Sequence, residues 1–273
     1  MGRRIINRRP GKGSALFWGA LPFLAVLVLY VIVSALRLAD NPNDKLLPAF
    51  STIAETITRL ATTPDQRSGN ILLWSDSAAS LVRLGLGLLV SATLGLTLGI
   101  GTGLIPYVRA GLSPFVAVLS MIPPMAVLPI LFIVFGLDEL SKVVLIVIGI
   151  APFLIRDLAM RVEAIPAELI IKAQTLGAST WQIILRVILP DVWPKLLDAL
   201  RLSLGPAWLF LISAEAIAAQ DGLGYRIFLV RRYLAMDVIL PYVAWITLLA
   251  FGMDWLLRAA NRRFCPWLTR GAS

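Results

Sequence analysis

Histidine is missing from this 273-residue chain, cysteine occurs once, at Cys265, and charged residues make up only 15%. Without an imidazole there is no His-based metal site and no catalytic triad, so no catalytic or metal-binding residue is assigned. A lone thiol cannot close an internal disulfide framework. A G-x4-G-K-[ST] stretch is also absent, which excludes nucleotide hydrolysis on a phosphate-binding loop of that kind. Acids are scarce: 16 Asp+Glu stand against 25 Lys+Arg, for a formal charge of +9. The basic residues sit beside apolar runs without aromatic interleaving, so they set membrane topology and no nucleic-acid partner is expected. What fills the chain is apolar. Hydrophobic residues reach 58% and the mean hydropathy is +0.83, against roughly 45–50% apolar residues in soluble domains. The chain is an integral membrane protein, with the lipid bilayer as its first partner.

Residues 1–13 form a basic cytoplasmic tail with Arg3, Arg4, Arg8, Arg9 and Lys12 and no acid. Residues 14–36 are uncharged, long enough to cross a hydrocarbon core of about 30 Å. A signal peptide would have a shorter apolar region and a small-residue cleavage site; this run leads instead into Leu36-Arg37-Leu38, and a retained first helix is expected. Residues 37–76 read as an external segment. Within it Phe50, Ile53, Ala54, Ile57, Leu60 and Ala61 recur at helical spacing opposite Thr52, Glu55 and Arg59. That pattern predicts an amphipathic helix on the outer surface or against the bundle, with Trp74 as an interfacial anchor.

Five further spans make a core over residues 77–264, ahead of a cytoplasmic tail at 265–273. The second span, 84–105, carries Gly95, Gly99 and Gly103 along one face, which allows close helix approach within the chain or across a dimer. The third, 110–137, is interrupted by Pro123, Pro124 and Pro129. Two readings fit that break: unwound backbone lining a translocation path, and a plain structural kink. The fourth, 143–155, is short, with Lys142 and Arg156 expected to snorkel at its ends. The fifth, 202–219, is uncharged except for Glu215. A turn at 220–224 and a basic helix at 225–234 lead to the sixth span, 238–253, after which Asp254 and Arg258 are spaced as a helical ion pair.

Six spans put both termini on one side, and the distribution of arginine and lysine puts that side, with residues 162–190, in the cytoplasm. Within this loop residues 170–190 read as a helix–turn–helix. Pro166 suits a first helical turn, Gly177 a left-handed helix end, and Ser179 with Gln182 a capping box. Pro190 is expected to stop the second helix. On pattern alone, a solvated loop and an element offered to a partner fit equally well.

A glycine, nine residues, a hydrophobic residue, one more and then Leu-Pro resembles the coupling loop of ABC importer permeases, E-A-A-x3-G-x9-I-x-L-P. Ala173 matches its second alanine, Gly177 its glycine, Val187 its isoleucine, and Leu189 and Pro190 its end. Ile171 and Lys172 stand where the glutamate and first alanine would be. Ser80-Leu81-Val82-Arg83, the proline-broken span, Phe135-Gly136-Leu137, Ala214-Glu215-Ala216 and Gly222-Leu223-Gly224 are similar to the nitrate/sulfonate/taurine branch. Within it, overall look is similar to permeases associated with urea- or guanidine-carboxylating enzymes.

The resemblance implies an all-α integral membrane protein of six transmembrane helices, a type I ABC importer permease-like bundle with a cytoplasmic coupling helix pair. It would lie in the bacterial cytoplasmic membrane as a homodimer, with two copies of a separate ATPase that holds ATP and Mg, an extracytoplasmic substrate-binding protein, and no cofactor of its own. The solute would be small, polar and nitrogen- or sulfur-containing. ATPase coupling falls to Ala173, Gln174, Thr175, Leu176, Gly177, Ala178, Ser179, Val187, Leu189 and Pro190. Path candidates are Met121, Pro123, Pro124, Met125, Trp208, Phe210 and Glu215. An acid at membrane depth is costly unless paired or wet, so Glu215 either meets a cationic solute or pairs with Arg83 or Arg226. The pairing is favoured, because the family resemblance includes this glutamate across solutes of differing charge. The alternative from another class is a secondary transporter or channel working without an ATPase; a secondary transporter would need Glu215 and Asp254 as ion-coupling carboxylates.

Overall fold

A computed structural model describes residues 11–41, 44–66 and 68–265. Arg3, Arg4, Arg8 and Arg9 of the basic tail, and the C-terminal tail after Cys265, lie outside the described residues. Among those described, every regular element is helical. The chain divides into two compact units.

One unit comprises Met1–Thr63 and Val230–Pro241. Its α1 (Lys12–Asp40) runs unbroken through Pro22, and its apolar window is unburied, as suits a helix whose surroundings are lipid. The chain after α1 folds back onto it. Tyr30 donates to the Pro48 carbonyl at 2.7 Å and Ser34 to that of Leu47 at 2.9 Å. The amphipathic stretch forms α2 (Phe50–Thr62), which buries Thr56 and Leu60; the Thr56 hydroxyl donates to Asp237 at 3.2 Å.

The other unit comprises Pro64–Leu229 and Tyr242–Ser273. Its centre is α6 (Glu139–Glu163), packed against α3 (Leu72–Leu104), α4 (Pro106–Leu119), α5 (Pro124–Phe135) and α9 (Leu189–Ala218). Glycines set the α3–α6 approach. A Cβ on Gly95 would stand 2.8 Å from Leu154, on Gly99 2.8 Å from Leu158 and on Gly103 2.5 Å from Val162. Each glycine costs about 1 kcal/mol of helix propensity relative to alanine, offset here by backbone contact that no larger residue permits. The glycine face is therefore used inside the chain. On another face of α6, Gly149 makes room for the Phe210 ring, 2.2 Å from where a Cβ would be.

Two expectations about the fourth span change. At 25 residues, α6 is a full span rather than a short one. Lys142 does not snorkel: it is 2% exposed and donates to Glu139 at 2.9 Å, one turn back on the same helix. The third span is two helices, α4 and α5, meeting at 94° across Ser120–Pro123. The ladder stops where Ile122 donates to Leu119, and resumes with Ala126 donating to Pro123, because Pro123 and Pro124 have no N–H to carry it through. With this pair counted as one crossing, the described residues hold six spans long and apolar enough for a membrane.

Pro190 does not end its helix. A short α7 (Ala167–Thr175) is followed by α8 (Thr180–Ile183), which runs without interruption through Ile184–Ile188 into α9, 39 residues in all. Residues Ile184–Ile188 form a π-helical turn, closed by Leu189 N–H donating to Ile184 O. The wider turn removes the geometry in which a proline ring meets the carbonyl four residues back, so the helix passes through. Beyond α9 come α10 (Leu223–Arg231) and α11 (Met236–Phe264).

Candidate functional site

The stretch around Gly177 is a hairpin with its turn fully built. At the end of α7, Gly177 donates to Gln174 at 2.9 Å and Ala178 to Ala173 at 3.0 Å, the two bonds of a Schellman ending. That ending requires a left-handed residue, and Gly177 supplies it with φ +78°. Two residues on, the Gln182 N–H donates to the Ser179 hydroxyl at 3.3 Å, and the Ser179 N–H donates to the Gln182 side chain at 2.8 Å. Both halves of the capping box are present. Gln174, Thr175, Leu176, Gly177, Ser179 and Pro190 are exposed, while Ala173, Ala178, Val187 and Leu189 are half-buried. At the tip Leu176 is 87% exposed and Trp181 69%. Ile171 and Lys172 are also exposed. Large apolar side chains are thus left uncovered on a rigid frame, an arrangement that in water costs free energy unless something covers it.

At the opposite end of α6 lies a buried ionic cluster. The Arg83 guanidinium on α3 donates to Glu215 at 2.8 Å, to Glu139 at 2.7 Å, to the Asp221 carbonyl at 3.0 Å and also to the Asp221 carboxylate. Glu215, 0% exposed, also accepts from the Ser80 hydroxyl at 2.8 Å and from the Gly224 N–H at 2.9 Å. Beside it, Asp76 accepts from Arg226 at 2.8 Å, Tyr242 at 3.0 Å and the Gly222 N–H at 3.1 Å. Burial works against the Arg226 charge, but the hydrogen bond and charge of Asp76, with Tyr242 and Tyr225 nearby, together outweigh it and raise the guanidinium pKa above its ordinary value. The Gly222-Leu223-Gly224 turn lies directly on the pair. A Cβ at Gly222 would sit 2.6 Å from the Glu215 carboxyl carbon and 2.7 Å from an Arg83 nitrogen, and φ there is +112°. Glu139 and Asp221 are the wet members, opening on a cavity of about 710 Å³ that Lys142 and Gln220 also line.

The path candidates are not brought together. Met121 and Pro123 are exposed at the α4–α5 break, where Pro124 and Met125 open α5. Trp208 is 4% exposed, with its indole N–H lacking a partner. Phe210 packs into the cluster of Leu128, Leu131, Leu145 and Ala214. Glu215 is sealed in the Arg83 pair; Arg226, the other partner considered, serves Asp76. Asp254 is held by Arg201 at 2.9 Å and by Arg258 at 2.8 Å. Sequence reasoning missed Asp76, Glu139, Asp221 and Tyr242. Their only signal was that each sits within two turns of a span end, which does not say which chain neighbours meet. No group of three or more His, Cys, Asp or Glu among the described residues is placed to hold a metal ion.

Comparison with known proteins matches this geometry to one family. Residues 92–265 match the binding-protein-dependent transport system inner membrane component. The taurine transport system permease protein TauC of Escherichia coli K12 is 42% identical over 196 residues, 71% of each chain. The nitrate import permease protein NrtB of Synechococcus elongatus is 28% identical over 210 residues, 76% of this chain and 75% of the relative. In fold the chain is similar to a solved bacterial ABC transporter involved in the import of the acidic polysaccharide alginate, with TM-score 0.64 at 16% identity, over 92% of this chain and 96% of that one. The chain belongs to the family of inner membrane components of binding-protein-dependent transport systems: it is the multi-pass permease subunit of an ABC importer, and ATP hydrolysis resides in a separate subunit.

Proposed function

We propose that this permease, as a homodimer with two ATPase subunits inside and a binding protein outside, conducts a small oxyanion of the sulfonate or nitrate type. The observation that carries the coupling half of this reading is the hairpin around Gly177. Its Schellman turn and capping box fix a shape, and its exposed Leu176 and Trp181 give an apolar surface for an ATPase groove. The positive-inside pattern supports a cytoplasmic position for it and for both termini. Continuity of the helix from Thr180 to Ala218 supports a mechanism. A rod of 39 residues spans about 55–60 Å, so a displacement imposed at Trp181 reaches the far end of the bundle as rigid-body motion.

The solute class is supported by charge as well as by the relatives. TauC and NrtB carry taurine and nitrate in their names, and taurine is a sulfonate. A guanidinium-like cargo would want a free carboxylate at membrane depth, and the candidate for that role, Glu215, is neutralised by Arg83 and closed off from solvent. Reconstitution in vesicles tests the reading. Taurine or nitrate uptake should require ATP, the ATPase and the binding protein together. Uptake by the permease alone would mean secondary transport and sink the proposal.

A further inference from the structure

The central helix α6 is covered on most sides by α3, α4, α5 and α9. One stripe stays open. Phe153, Arg156 and Met160, spaced by three and four residues, are exposed. The stripe borders the α4–α5 break, because Arg156 Nη1 donates to the Ser120 hydroxyl at 2.9 Å. Backbone without helical hydrogen bonding is tolerated at membrane depth only inside protein or against water. Exposed Met121, at 78%, shows that none of the described residues covers the break, so the stripe beside it faces a wet space or a second copy rather than hydrocarbon.

Arg156 differs in pairing from six arginines of this bundle. Arg83, Arg109, Arg161, Arg201, Arg226 and Arg258 each pair with a carboxylate. Arg156 has none among the described residues: its neighbour Asp157 is taken by Arg161 at 2.6 Å, and its one recorded side-chain partner is a neutral hydroxyl. A guanidinium carries five N–H donors in a planar fork. It sits immediately after the uncharged run 143–155, where an uncompensated charge is costly.

We propose that Arg156 and Ser120 form an oxyanion-binding point on the solute's route, the guanidinium taking two oxygens of a sulfonate or nitrate and the Ser120 hydroxyl a third contact. The proposal rests on the reading of this chain as an oxyanion permease. Phospholipid headgroups offer the same oxyanion chemistry, so the experiment must separate cargo from lipid.

The test uses the full importer, permease with ATPase and binding protein, in vesicles, with taurine and nitrate as probes. Arg156→Gln should lower uptake about tenfold or more, the loss expected when a charge-assisted pair is removed. Arg156→Lys keeps charge and bulk and so keeps the fold; lacking the fork, it should raise the solute concentration for half-maximal uptake several-fold. Both defects should be equal in phosphatidylcholine vesicles and in vesicles rich in phosphatidylglycerol. A defect confined to the anionic vesicles would assign Arg156 to lipid and overturn the proposal, as would unchanged uptake by both variants. If the wild type itself moves neither probe, the oxyanion reading fails first; if it moves them and the variants match it, only the Arg156 assignment fails.

Discussion

Arg83→Ala should cost about 3–5 kcal/mol, because it leaves the buried Glu215 carboxylate facing the Ser80 hydroxyl and the Gly224 N–H with no cation. At 0% exposure Glu215 cannot turn to water, and the Gly222-Leu223-Gly224 turn that closes over it loses its seat. Glu215→Gln should be milder, since the Ser80 hydroxyl and Gly224 N–H can still be satisfied and Arg83 keeps Glu139 and Asp221. The double variant should be less damaged than Arg83→Ala alone, as expected of a directly coupled pair. Apparent melting temperature of the purified permease, with the folded fraction after membrane extraction, reads all three. Equal losses for Arg83→Ala and Glu215→Gln would mean that the pair is not what holds this end of the bundle.

Gly177→Val should uncouple the permease without unfolding it. Nothing lies within 4 Å of where its Cβ would sit, so the penalty is purely conformational. A residue with a Cβ pays about 1–2 kcal/mol in the left-handed region, and a β-branched residue is a genuine outlier there. That shifts the turn away from its Schellman geometry by roughly tenfold in population, and α7 no longer presents Leu176 at the angle set by Ser179. Retention of the ATPase during purification, and uptake with it, should fall about as far. Gly177→Asn should retain most of both, because asparagine tolerates the left-handed conformation. Matching losses for Asn and Val would point to a packing role instead.

The hairpin was legible in the sequence because its determinants are local: a glycine at a left-handed position, a serine three residues ahead of a glutamine, and their spacing. The glycine face of α3 was legible for the same reason, although only the fold shows that α6 covers it. What escaped is non-local. Asp76 meets Tyr242 across 166 residues and Arg83 meets Asp221 across 138, so no window of sequence brings them together; the cost of an acid at membrane depth pointed to a cation for Glu215, but only the fold chooses Arg83 over Arg226. Pro190 misled because local proline rules assume a strict α ladder, and the π turn at Ile184–Ile188 relaxes that ladder one turn early. The neighbour of Arg156 was likewise out of reach, because only the α4–α5 break brings Ser120 beside it.

Placing a photo-crosslinking residue at position 176 is the most direct measurement. Leu176 is the hairpin tip, 87% exposed, and a benzophenone side chain there replaces an apolar group with another. In membranes containing the assembled importer, illumination should give one adduct, between the permease and its ATPase subunit. An adduct with the binding protein, or no ATPase adduct from a permease that still transports, would contradict the coupling role of this hairpin.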